Sequence, residues 1–377
     1  MNPALLRLAI ALFTWGLGEG IFFYFQPLYL AELGADPFMI GKILGAVGIA
    51  MTIVHIPAGH LADKVGRLPL LRVSWSLGLI ATAAMAASKT LPLFVSGLIL
   101  YSLTTFVIAP LNSYVTAARG KWTVERAITL ISATFSLGMV SGPLIGGWLG
   151  DHYGLRSLYV AALAIFTIST ILMYSLPAQP IHSAAKSFST ASILQNKRYW
   201  NFLLLTFFVI FTLQVPQPLT QNFLQDERGL SLGQIGLLGS LGGVGNVIFN
   251  LGLGQLSAFL GILLSQIAIA LYALLIWRGT SMPVYGIAYL LLGGYRSARS
   301  LTAAHVNSLI DDAQMGLAYG ITETANALPL IIAPPLAGYF YIMDPASPYP
   351  LSLLLIFVGI LATLIFFSRS RKEMDTL

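Results

Sequence analysis

Gly59-His60-Leu61-Ala62-Asp63-Lys64-Val65-Gly66-Arg67 gathers three formal charges and a histidine between two long apolar segments, in a chain of which only 9% of residues are charged. Charges flanked by so much apolar sequence must meet water, so this stretch reads as a loop joining two membrane helices. Further along, at an offset of 195 positions, Gly254-Gln255-Leu256-Ser257-Ala258-Phe259-Leu260-Gly261 keeps the glycines and the leucine and drops the charges. An internal duplication follows from that pairing.

The composition agrees. Of 377 residues, 56% are hydrophobic and the mean hydropathy is +0.80, whereas a soluble domain carries roughly 25% charged residues. Apolar stretches near the length of roughly 20 residues that a bilayer requires read at 5–30, 38–58, 70–88, 91–117, 127–149, 155–176, 200–224, 232–253, 257–277, 283–308, 316–342 and 349–367. The expectation is an all-α polytopic membrane protein of twelve transmembrane helices. The first segment runs on through polar and aromatic residues without a small-residue cleavage site, so it is expected to be retained as a helix. With no cysteine in the chain, neither a disulfide framework nor a thiol metal site is available. The histidines, His55 and His305 among them, show no metal-ligand spacing, and no cofactor is expected.

Basic residues set the orientation. With the N-terminus inside, Arg7, Lys64, Arg67, Arg72, Arg119, Lys121, Arg126, Lys186, Lys197, Arg198, Arg369, Arg371 and Lys372 fall on the cytoplasmic side. Only Lys42, Lys89, Arg156, Arg228 and Arg278 fall opposite. Both termini are therefore expected in the cytoplasm. The net charge of +6 is explained by topology, and a nucleic-acid partner has no support.

The longest polar stretch, Pro177 to Tyr199, divides the chain into expected units at 1–176 and 200–377 with a cytoplasmic linker at 177–199. Its last part, Ser192 to Trp200, reads as a plain connector. At the offset of 195, Ile40-Gly41 falls on Ile235-Gly236 and Asn112-Ser113 on Asn307-Ser308; an offset of 192 then places Pro143-Leu144 on Pro335-Leu336 and Gly146 on Gly338. Six helices repeated in one orientation imply two pseudo-symmetric bundles with a substrate site near the bilayer midplane.

On these residues the chain resembles the major facilitator superfamily, over essentially its whole length. Gly59, Leu61, Ala62, Asp63, Gly66 and Arg67 look like that family's signature between helices two and three. The family pattern usually adds a basic residue directly after the arginine, where this chain has Leu68-Pro69 and regains a charge only at Arg72. The resemblance implies a gating role for Gly59, Asp63, Gly66 and Arg67, with Asp63 and Arg67 able to pair at a cost small enough to break each cycle. In helix five, Gly138-Met139-Val140-Ser141-Gly142-Pro143-Leu144-Ile145-Gly146-Gly147 resembles the motif associated with exporting antiporters. Gly138, Gly142, Pro143, Gly146 and Gly147 also suit close helix packing and a bend. The family's fourth-helix motif built on an intramembrane arginine is absent, for Leu100 to Asn112 contains no basic residue.

Ionisable residues within the bilayer are costly and are functional candidates by default. Glu19, Arg296, Arg299 and Glu323 stand out. Glu19, Phe23 and Gln26 recur at helical spacing, and the same face of helix seven carries Gln214, Gln217 or Pro218, and Gln221, so that Glu19 maps onto Gln214 and Gln26 onto Gln221. Arg299 and Glu323 lie at similar depths and are expected to pair, either as a structural brace or leaving Arg296 for substrate. Burial disfavours a charged carboxyl group and a nearby arginine favours it. A glutamate whose cationic partner comes and goes would thus exchange protons over a cycle, and Glu19 is expected to couple protons, to contact a cationic substrate, or to do both in competition. Aromatic residues such as Trp15, Phe22, Tyr24, Tyr101, Tyr289 and Tyr295 suit an amphipathic substrate.

The expectation is a secondary active transporter of a small molecule, proton-coupled and exporting hydrophobic or amphipathic compounds, monomeric in the lipid bilayer of the plasma (inner) membrane. Uptake or exchange of an anionic metabolite through Arg296 and Arg299 is the alternative, and a non-transporting membrane sensor or assembly factor a third. No nucleotide-binding loop, paired metal ligands or activated nucleophile points to an enzyme.

Overall fold

Helices account for nearly all of the computed structural model, which describes residues 3–178, 196–306, 309–310 and 315–375. In chain order they are α1 (Pro3–Phe23), α2 (Gln26–Glu32), α3 (Pro37–Val65), α4 (Arg67–Ala87), α5 (Leu91–Ser102) and α6 (Ile108–Ala118). Then follow α7 (Val124–Tyr153), α8 (Arg156–Tyr174), α9 (Lys197–Gln214), α10 (Thr220–Asp226), α11 (Leu232–Leu253) and α12 (Ala258–Arg278). The last are α13 (Met282–Leu291), α14 (Gly293–Val306), α15 (Met315–Met343) and α16 (Pro348–Asp375). Among the described residues, ten helical segments are long and apolar enough to cross a membrane.

Helix starts are written in local chemistry. Thr123, Asn196 and Ser257 cap α7, α9 and α12, accepting from the N–H groups of Arg126, Tyr199 and Leu260. Each replaces one of the intrahelical partners that a first turn lacks. Between α3 and α4 the reversal falls on one residue, Gly66, at φ 84°, a backbone region that side chains with a Cβ avoid.

That reversal corrects the reading of the charged stretch as a loop. Residues 59–65 continue α3 as helix, and Gly59 ends nothing. A helix carries charges into water as readily as a loop does. In the second copy the break comes earlier, with α11 ending at Leu253 and α12 starting at Ala258, so Gly261 lies inside a helix.

Four expected spans are interrupted, and in repeat-related pairs. The first breaks at residues 24–25 and the seventh at 215–219; the fourth passes through a tighter 3-10 turn at Leu103–Val107, and the tenth breaks at Leu292. Apolar composition runs through the breaks at 24–25 and 292, whereas Pro216 and Pro218 mark the one at 215–219.

By contact the chain divides into two compact units: Met1–Ala35, Ala46–Ala184 and Leu224–Ser240 in one, Asp36–Gly45, Ala185–Phe223 and Leu241–Leu377 in the other. In unit 1, α1 packs against α7 and α8, and α4 packs against α8 and α5. In unit 2, α9 packs against α15 and α16, and α12 against α13, α14 and α16. The duplication is visible in these pairs: α1 with α7 corresponds to α9 with α15, and α4 with α8 to α12 with α16.

The α1–α7 seam is made by glycine. A Cβ on Gly142 would come within 2.5 Å of the Gly20 backbone, one on Gly138 within 2.5 Å of Leu17 N, and one on Gly146 would meet the Ile21 carbonyl. Pro143 removes the donor that the Met139 carbonyl would use, and that carbonyl faces Gly20.

A second face of α7 meets the start of α11. Gly236 lies on the Pro143 carbonyl, Gly147 on the Leu232 carbonyl, and Ser240 Oγ donates to the Val140 carbonyl at 2.6 Å. Unit 2 repeats the pattern between the start of α3 and α15: Gly41 lies on Pro334, Gly338 on Pro37 and Gly45 on Ile331. These equivalences put Pro143 on Pro334 and Gly147 on Gly338, an offset of 191 and not 192. The Pro334-Pro335 doublet lets the sequence align either way.

Gly142→Ala should therefore lower thermal stability in detergent, by the roughly 1–3 kcal/mol of an overpacked core. Gly252→Ala, in a helix with nothing within 4 Å of the new Cβ, should leave the melting temperature unchanged or slightly raised.

Candidate functional site

In unit 1 the ionisable centre is Glu19, on α1 and partly exposed. Tyr101, at the end of α5, donates its hydroxyl to Glu19 Oε2 at 3.0 Å. The tyrosine ring is itself held in a column of aromatic rings. It lies parallel to Phe166 with centroids 6.0 Å apart and to Trp15 at 6.3 Å, while Trp15 and Phe166 stack at 4.0 Å. Phe22 closes edge-on against Tyr101 at 5.4 Å. Gly78 makes room for the Trp15 ring.

Around this column two further polar side chains are satisfied. Trp75 Nε1 donates to Ser169 Oγ at 2.9 Å, and Ser169 passes its own proton to the Ala11 carbonyl at 2.6 Å. A carboxylate is thus presented from an apolar, rigid wall with a neutral hydroxyl as a named donor. The fourth predicted span supplies that donor as a tyrosine, in the absence of an arginine. Such a group can hold a proton or oppose a cation.

Gln26 does not extend this site along one face. The break at 24–25 puts it in α2, where it is buried, whereas Phe23 is exposed. In unit 2, Gln214 ends α9 and Gln221 lies in α10, beyond a turn in which Gln217 donates back to the Leu213 carbonyl at 2.6 Å. Both polar rows predicted as single stripes are cut by the same pair of repeat-related breaks.

The cationic centre is in unit 2. Arg299 of α14 donates to Glu323 Oε2 of α15 at 3.2 Å, with side chains 31% and 57% exposed. Arg296, one turn earlier, is exposed. It has no acidic partner among the described residues. Beside it Ser297 Oγ donates to Asn250 Oδ1 at 3.3 Å, and Asn250 Nδ2 donates to Asn246 Oδ1 at 2.7 Å, which links α14 to α11. Two asparagines four residues apart in an apolar helix, Asn246 and Asn250, are the sequence signal for this polar ladder.

Of the four gating candidates, Gly66 forms the α3–α4 reversal and Arg67 opens α4. Gly59 and Asp63 lie on α3, and the Asp63–Arg67 pair falls outside the described side chains. Nearby, main-chain carbonyls at the end of α8 are gathered by arginines. Arg7 donates to Ser175 at 3.0 Å, and Arg72 to Tyr174 and Leu176 at 3.0 and 3.2 Å. Tyr114 adds a bond to the Pro177 carbonyl at 3.0 Å. Cations suit the negative end of a helix.

One further carboxylate was missed altogether. Asp151, near the end of α7, accepts three hydrogen bonds from residues 231–233 at the start of α11. An acid at the edge of an apolar stretch looks in sequence like an ordinary end-of-helix charge.

The exposure of Arg299 and Glu323 decides how much their pair contributes. In a double-mutant cycle of Arg299→Ala and Glu323→Ala followed by thermal unfolding, the coupling should stay below about 1 kcal/mol. A much larger value would make the pair a desolvated brace.

Comparison with known proteins gives these features a context. The sequence profile of the Major Facilitator Superfamily matches residues 8–296. The quinolone resistance protein NorA of Staphylococcus aureus is 20% identical over 382 residues, covering 97% of both chains. The class H tetracycline resistance protein of Pasteurella multocida is 24% identical over 363 residues, covering 90% of each. Among solved structures, the nucleoside transporter NupG superposes with a TM-score of 0.82 at 16% identity, over 98% of this chain and 99% of that one. The chain belongs to the Major Facilitator Superfamily, and is an integral, multi-pass membrane transporter of small molecules and not an enzyme.

Proposed function

We propose that this chain is a secondary active transporter that works by alternating access and exports hydrophobic or amphipathic compounds in exchange for protons. The observation that carries this reading is the Glu19–Tyr101 hydrogen bond set in its aromatic column. A carboxylate on an apolar wall is suited to binding either a proton or a cationic amphiphile, and competition between the two is what couples their movements. Two relatives are named for quinolone and tetracycline resistance, which supports export of such compounds.

In this reading Glu19 is the coupling residue, and Gln26, Gln214 and Gln221 are polar contacts for substrate. Gly59, Asp63, Gly66 and Arg67 act at the gate. The protein works as a monomer in the plasma (inner) membrane with both termini in the cytoplasm, as the distribution of basic residues suggests.

A second reading rests on a different observation, the exposed Arg296 without an acidic partner among the described residues beside an Arg299 already held by Glu323. It favours an anionic metabolite, taken up or exchanged, with Arg296 as its anchor.

Reconstituted vesicles with an imposed pH gradient separate the two. Glu19→Gln should abolish the pH dependence of cationic dye export, with Arg296→Ala retaining it. Unchanged pH dependence in Glu19→Gln removes Glu19 from coupling, and loss of anion uptake in Arg296→Ala alone selects the second reading. Tyr101→Phe, which keeps the ring stack and removes only the hydroxyl, should weaken export by roughly tenfold if the bond positions the carboxylate, the cost of a hydrogen bond to a charged group.

A further inference from the structure

The start of α11 is capped twice over. Its own residues close a capping box, with Ser231 N–H donating to Gln234 Oε1 at 3.0 Å and Gln234 N–H to Ser231 Oγ at 3.3 Å. The next two N–H groups, which no intrahelical carbonyl can reach, go to another helix. Leu232 donates to Asp151 Oδ1 and Gly233 to Asp151 Oδ2, both at 2.8 Å, and Ser231 Oγ reaches Oδ2 at 3.1 Å. The carboxylate also faces the positive end of the α11 dipole.

The repeat-related helix does without this arrangement. α3 closes its own start through Asp36, whose Oδ1 accepts from Met39 N–H at 2.7 Å. At the structural offset of 191, the counterpart of Asp151 in α15 is Ile342. One copy has a local cap, and the other has a cap lent by a neighbouring helix.

A lent cap is a joint, and this one is built to part. Asp151, Ser231 and Gln234 are exposed, so bonds made here can be exchanged for bonds to water with little net change, which a buried set could not do. Below it the contact is made by Gly147, Gly236 and Gly239, which present no side chain to disengage. α11 is also divided in its packing, for residues up to Ser240 belong to unit 1 and those from Leu241 to unit 2.

We propose that Asp151 is a releasable clasp in the transport cycle. While it caps α11, the first turns of that helix are carried with α7; when it lets go, they move with the remainder of their own helix. Both carboxylate oxygens are used, because three donors converge on them. An amide of the same shape offers one acceptor and turns its own N–H groups toward the other donors.

The chain has no cysteine, so labels can be placed without removing any. Nitroxides at Tyr153→Cys and Leu237→Cys, both exposed positions, report the α7–α11 separation by pulsed electron resonance on the full chain in lipid nanodiscs. Asp151→Asn should raise the population at long distance by roughly fivefold, the low end of coupling between sites. Gly233→Ala should do the same without touching the charge, since its Cβ would lie 2.7 Å from Asp151 Oδ2 and displace the carboxylate. Asp36→Ala removes only the local cap of α3 and should leave the distribution as it was. Native distributions in Asp151→Asn and Gly233→Ala overturn the proposal, as does equal separation in Asp36→Ala. Either of the first two variants decides the matter alone if the other does not yield monodisperse protein.

Discussion

Helix α1 lies against α7 with almost no side chain between them, and unit 1 is organised around that contact. In a bilayer there is little hydrophobic gain in pressing one apolar helix on another, so association depends on close van der Waals approach. Gly16 and Gly20 on one side and Gly138, Gly142 and Gly146 on the other make the approach possible. Once it is made, the opposite side of α1 is committed to α8. Trp15, Phe22 and Phe166 then fill the space between, and Glu19 is left at the edge of a wall that cannot shift without opening the seam.

Proline has a part in the same design. Pro143 in α7 and Pro335 in α15 each leave a carbonyl four residues back without its helical donor. The Met139 carbonyl faces Gly20 and the Ile331 carbonyl faces Gly45. In each case the hydrogen that glycine carries in place of a Cβ points at the freed oxygen, a contact of the weak C–H···O kind found at helix interfaces. The two copies of the repeat thus reached the same solution on different helix pairs, in two separate units.

Much of this was legible in the residues themselves. All-helical membrane architecture follows from composition, and the duplication from glycines recurring at a fixed interval. The family follows from Gly59 to Arg67 in its place between two spans. Small residues a turn apart at 138, 142 and 146 are visible too, although not which helix they meet. What stayed hidden has physical causes. The breaks at 24–25 and 292 lie in largely apolar sequence, where hydropathy carries no period to interrupt, while Pro216 and Pro218 mark the one at 215–219 without lowering the apolar character of the span enough to divide it. Helix continues through Gly59 because hydration favours charge exposure, not any one backbone shape. Tyr101 became a partner of Glu19 only when two spans were brought together, and an acid such as Asp151 has no signature until the helix it caps is known.

Three side chains from α1, α4 and α6 make four bonds where α8 ends, and every one of these bonds is spent on a main-chain carbonyl: Ser175 for Arg7, Tyr174 and Leu176 for Arg72, Pro177 for Tyr114. A grip on carbonyls is indifferent to which side chains those residues carry. The segment from 174 to 177 is therefore held by its length and path as well as by the Tyr174 side chain, whose hydroxyl meets Ser76 Oγ at 2.8 Å, and a single insertion or deletion there would put every arginine out of register.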